Sequence, residues 1–131
     1  MSELFDNAKL YFAKAESKLE SAKLNLSHEQ YDDAVSRAYY SAFHSISALL
    51  FLKELEFSSH SQTLGSFNKE FIKTEVFPRK FGKWIYKLFE FRETGDYAII
   101  SNITRKDAIE SIEHAEEILK TIQEYVNKNF I

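Results

Sequence analysis

Apolar residues in this chain recur at alternating steps of three and four along most of its length, a spacing that an α-helix gathers onto one face and a β-strand scatters over two. Phe5, Ala8, Phe12, Ala15, Leu19, Ala22 and Leu26 make the first such stripe, opposite Lys14, Glu16, Lys18 and Glu20. Only one Pro and three Gly punctuate the 131 residues, so the segments between stops are long and helical. Ser27 and Gln30 have the spacing of a capping box and predict a break between the first two helices. The second helix is expected over about 29–54, with Ala34, Val35, Ala38, Ala42, Ile46, Leu49 and Leu50 as its inner side. Its small residues allow close helix approach and make it the expected central element.

Ser59 and Gln62 repeat the capping spacing and open a shorter third helix reaching about Lys73, with Leu64, Phe67 and Phe71 buried. Pro78 restarts the chain as a first-turn proline, and Phe81, Trp84, Ile85, Leu88 and Phe89 carry a fourth helix to Phe91 or slightly beyond. Gly95 is the expected stop. Thr104 with Asp107 caps a fifth helix built on Ala108, Ile109, Ile112, Ala115, Leu119, Ile122 and Val126. The expected fold is all-α: an antiparallel, up-and-down bundle of about five helices in a single domain over residues 1–131.

A chain of this length buries roughly two thirds of its unfolded surface, enough for a core without staples. The absence of Cys excludes disulfides, thiolate nucleophiles and Cys-ligated metal sites. No His pair stands one turn apart and no glycine-rich phosphate loop occurs, so neither a metal nor a cofactor is expected. The N-terminal stretch mixes Glu, Asp and Lys with its apolar residues, unlike a signal peptide, and no apolar run is long enough to span a bilayer. A cytoplasmic location away from membranes is therefore expected. The formal charge is −3, yet residues 69–92 carry Lys69, Lys73, Arg79, Lys80, Lys83, Lys87 and Arg92 against Glu70, Glu75 and Glu90, a local +4. Such polarity suits a phosphate or an acidic partner, although a solvated helix face has the same composition.

Polar residues interrupt the apolar pattern in three places. Arg37, Tyr40, Ser41 and His44 share one side of the second helix and need partners if buried. His60 follows the Ser59 cap, where the helix dipole favours a neutral ring. Arg92-Glu93-Thr94-Gly95-Asp96-Tyr97 sets an arginine near a helix end beside an acid and a tyrosine, and Arg92 with Asp96 reads equally as a local salt bridge. His28 and His114 fall on expected surfaces.

The stretches Ser36 to His44, Ser59-His60 and Arg92 to Tyr97, in this order, resemble the HEPN superfamily, in particular its small stand-alone prokaryotic branch. That resemblance implies a homodimer whose arginine-bearing segments converge on a cleft for nucleotide or RNA phosphate. In HEPN ribonucleases an Arg, often with a polar follower, is separated by four to six residues from a His; the His handles protons and the Arg stabilises phosphate charge without metal. Arg92 and Glu93 match the first two positions, but Tyr97 stands where the His belongs, and a phenol with a pKa near 10 accepts protons poorly. Arg37 and His44 satisfy the spacing literally, but from mid-helix, as a packing signature would. His44 or His60 could supply the absent imidazole in three dimensions.

Three functions follow from the resemblance. The first is a phosphate-binding partner of a minimal nucleotidyltransferase in a toxin–antitoxin-like pair, with Arg37, Tyr40, Arg92, Glu93 and Asp96 holding the ligand and Tyr97 open to nucleotidyl transfer. The second is a metal-independent endoribonuclease using Arg92 with Tyr97, His44 or His60. The third is a non-catalytic assembly module in which these groups only bond one another.

Overall fold

The computed structural model describes residues 2–130, which are mostly helical, with no strand among them. Helix α1 spans Ser2–Ser27, α2 Tyr31–Leu52, α3 His60–Phe67, α4 Arg79–Tyr97 and α5 Arg105–Asn129. A π-helical turn, Asn68–Ile72, extends α3. Helix α2 is central: it packs against α1, α3, α4 and α5. Its Ala34, Val35, Ala38, Ala42, Ile46 and Leu49 are all fully buried. The alanines let α1 approach so closely that Ser41 Oγ, itself buried, donates across the contact to the Ala15 carbonyl at 2.8 Å. Ser45 Oγ donates to the Ser41 carbonyl at 2.9 Å, so neither buried hydroxyl is left unpaired.

The α1–α2 connection differs from its sequence reading. Ser27 does not cap α2; it ends α1, and its hydroxyl donates back to the Leu24 carbonyl at 2.7 Å. The turn is made by Glu29, at φ 58, and Gln30 stands at the N-cap without a side-chain cap bond. Instead Asn25 Nδ2 donates to Gln30 Oε1 at 2.8 Å, tying the two helix ends together. The other caps follow expectation more closely. Ser59 Oγ accepts from the Gln62 N–H, and Thr104 with Asp107 closes a complete, reciprocal capping box on α5.

Gly95 is also corrected. Helix α4 runs through it to Tyr97 in helical conformation, with no positive φ. What requires glycine there is proximity: a Cβ would lie 2.8 Å from the Asp32 carbonyl oxygen, so its absence lets the end of α4 seat on the start of α2. At the other end of α4, Phe67, Phe71, Phe77 and Phe81 pack in series with ring centroids about 6 Å apart, and Tyr125 of α5 meets Phe77 edge-on at 5.2 Å. Phe77 precedes Pro78 in a loop and carries no periodic signal, yet it is buried. Ile118 of α5 is likewise fully buried off the expected stripe, whereas Ile109 is only half-buried. His114, expected on a free surface, stacks face to face on Trp84, 3.9 Å between centroids and 5° from parallel.

Candidate phosphate-binding cleft

The close seating of α4 on α2 brings the Arg92 segment to the N-terminal half of α2. Arg92 Nη2 donates to the Tyr40 hydroxyl at 2.8 Å, and Nη1 donates to Glu93 Oε1 at 3.2 Å. Asp96 Oδ2 lies 3.2 Å from Nε, an ion-pair distance off the N–H direction, so this buried donor lacks an aligned acceptor. Rings of Tyr39, Tyr40, Phe89 and Tyr97 surround the guanidinium with centroids 5.4–5.9 Å from its carbon. The Arg92 side chain is 12% exposed. Burial opposes its charge, but Tyr40, Tyr97 and Asp96 outweigh that opposition and raise its pKa above the ordinary arginine value.

Behind this group Tyr39, fully buried, shares a 2.8 Å hydrogen bond with Nδ1 of His60. A neutral His60 with its proton on Nε2 accepts there from the phenol. The ring stacks on Phe43 at 4.2 Å, and burial with the nearby Arg92 charge holds its pKa below the usual histidine value. Burial likewise pushes the Tyr39 phenol upward, keeping it protonated. His60 is thus fixed within an aromatic stack.

In front of Tyr40 a cavity of about 410 Å³ opens between α1, α2 and the end of α4. Lys14 and Lys18 line it from α1, Asp33, Ser36, Arg37, Tyr40 and His44 from α2, and Asp96 from α4. Of the residues singled out in the sequence, Arg37, Tyr40, His44 and Asp96 line this cavity together, Arg92, Glu93 and His60 do not, and Ser41 turns away to α1. Among the described residues no carboxylate pairs with Lys14, Lys18 or Arg37, while Asp96 is engaged with Arg92. Burial, reinforced by Lys14 and Lys18, pushes the His44 pKa down to about 4, so its ring is neutral at neutral pH. Tyr97 lies outside the cavity lining and is 69% exposed. Lys14 and Lys18 escape a sequence reading because a lysine pair one turn apart beside Glu16 and Glu20 looks like any solvated face. Only the packing of α1 on α2 sets them opposite Arg37.

A five-helix bundle with this Arg-bearing α4 segment against a Tyr- and His-bearing α2 defines a class, and a family model of the HEPN domain matches residues 8–125. This chain belongs to the HEPN family. A UPF0332 protein of Thermotoga maritima is 39% identical over 113 residues, 86% of each chain. A Methanocaldococcus jannaschii protein named "Putative toxin MJ0142" is 38% identical over 90% of this chain and 81% of its own length. The crystal structure of TT1696 from Thermus thermophilus shares the fold, with TM-score 0.75 and 18% identity over 89% of this chain and 96% of that one. Among the described residues no helix is long and apolar enough to cross a membrane, and no three His, Cys, Asp or Glu side chains cluster as metal ligands.

Proposed function

We propose that the chain is a homodimeric HEPN protein that binds nucleotide or RNA phosphate and partners a minimal nucleotidyltransferase in a toxin–antitoxin-like pair. The toxin name of a relative that this chain matches over nine tenths of its length supports the pairing. The observation that carries the binding reading is the cavity lined by Lys14, Lys18 and Arg37, three cations in no salt bridge among the described residues, against Asp33 and an Asp96 already held by Arg92, with a neutral His44 beside them. An entering anion would give these cations a close, charge-assisted partner that no carboxylate of the fold supplies within salt-bridge distance among the described residues. In this reading Arg92, held by Tyr40, Glu93 and Asp96, stiffens the wall behind Tyr40, and exposed Tyr97 is open to modification by the partner.

Calorimetric titration with a nucleoside diphosphate tests the reading. Binding should weaken about tenfold or more in Arg37→Ala, and an anion seated in the cleft should raise the His44 pKa, seen in the pH dependence of its ring proton resonances. Absence of binding to nucleotides and to short RNA alike would leave the assembly-module alternative in its place. Because His44 lines the same cavity, a cleavage reading is tested alongside: RNA hydrolysis that survives EDTA and disappears in His44→Ala would make the protein a ribonuclease. A base with pKa near 4 sits far from the optimum for neutral pH, which favours binding over cleavage.

A further inference from the structure

The α4 helix bears two rows of bases that the fold treats differently. Lys80 and Lys87, two turns apart, pair with Glu117 at 3.2 Å and Glu110 at 2.9 Å on α5. On the adjacent face Arg79 and Lys83 join Lys73 around a groove of about 400 Å³ whose floor and rim include Asn68, Gly82 and Tyr86. No carboxylate lines this groove, and no salt bridge among the described residues involves Lys73, Arg79 or Lys83. Helices favour acids in the first turn, where free N–H groups carry partial positive charge. Helix α4 has none there, opens on Arg79 and Lys80, and has no side-chain cap bond at Pro78. Three cations and an uncapped helix start thus converge in a protein whose net charge is −3.

We propose that this groove is a second anion site, built for a single-stranded polynucleotide. Three cations on one groove offer charge-assisted partners to backbone phosphates, and Tyr86, 55% exposed at the same groove, offers a ring to a base. An acidic peptide would use the cations but gain nothing from the ring, and a membrane surface would require exposed apolar groups in place of Asn68. The site is separate from the α1–α2 cleft: Lys83 and Asp96 stand thirteen residues apart on α4, about 20 Å along the helix. The inference goes beyond the cleft reading and stands without it.

The test is fluorescence anisotropy of the full chain with a labelled oligouridylate of about ten nucleotides, over a series of salt concentrations. All four groove side chains to be changed are exposed, so the variants should melt like the parent. Combined Lys73→Ala, Arg79→Ala and Lys83→Ala should weaken binding about tenfold or more and flatten the log–log salt slope by about 2. Tyr86→Ala should lose about fivefold or more with the slope unchanged, and Tyr86→Phe should restore it. Nucleoside diphosphate titration of the triple variant should match the parent, whereas Arg37→Ala should lose that signal, so the two sites report separately. The inference is overturned if the parent ignores the oligonucleotide, if the triple variant keeps its affinity and slope, or if polyglutamate competes as well as RNA.

Discussion

A single oxygen of Tyr39 holds the position of His60. The hydroxyl is the hydrogen-bond partner of His60 Nδ1 in an otherwise aromatic setting. Tyr39→Phe keeps the ring packing and orphans the imidazole nitrogen, so urea denaturation should show a loss of about 1–2 kcal/mol. His44 contributes to acid sensitivity. Its pKa is about 4 in the folded chain against about 6.5 when unfolded, so between those values the unfolded state binds more protons. Stability should fall as pH drops through this window, on the order of 1–2 kcal/mol from His44 between about pH 7 and pH 5. His60 and His114, both lowered chiefly by burial, act in the same direction. His44→Gln should flatten the pH dependence of the urea midpoint; an unchanged slope would place the proton uptake elsewhere.

Glycine separates the elements by context. Gly65 lies in α3 with nothing within 4 Å of the place a methyl group would occupy, so Gly65→Ala should gain about 0.5–1 kcal/mol from helix propensity alone. Gly95→Ala enjoys the same propensity but drives its Cβ against the Asp32 backbone, and should lose a net of about 1–3 kcal/mol on thermal unfolding. It should also weaken nucleotide binding, because the α4 end that carries Asp96 and Arg92 would lift from α2. Propensity and punctuation therefore identify where helices exist better than where they end. The capping pair at Thr104 and Asp107 acts within one turn and is readable from the residues alone; the stop expected at Gly95 fails because the reason for that glycine lies on another helix. Ser27 fails for a related cause, since the Gln30 N–H that it would accept from donates instead to the Asn25 carbonyl at 2.8 Å.

For the whole molecule, Ile99 and Ile100 stand out between α4 and α5 at 101% and 89% exposure, next to exposed Tyr97. Apolar side chains so placed favour association, in line with the proposed homodimer. Sedimentation at tens of micromolar protein should give a dimer, and Ile99→Asp with Ile100→Asp should shift it to monomer without lowering the monomer's own melting temperature. A parent that sediments as a monomer would remove that part of the proposal. Five amphipathic helices, the central place of α2 and the residues that mark the family are all legible in the order of amino acids, because helical period and caps are local properties. Which charges remain free is legible only once the helices are packed. Arg92, the expected anion receptor, is enclosed by Tyr40, Glu93 and Asp96, while Lys14, Lys18 and Arg37 face open space. The Arg92 pairs are local, one and four residues on, and readable as such; the placing of Lys14 and Lys18 opposite Arg37 depends on packing between segments far apart in the chain, a distance no local period carries.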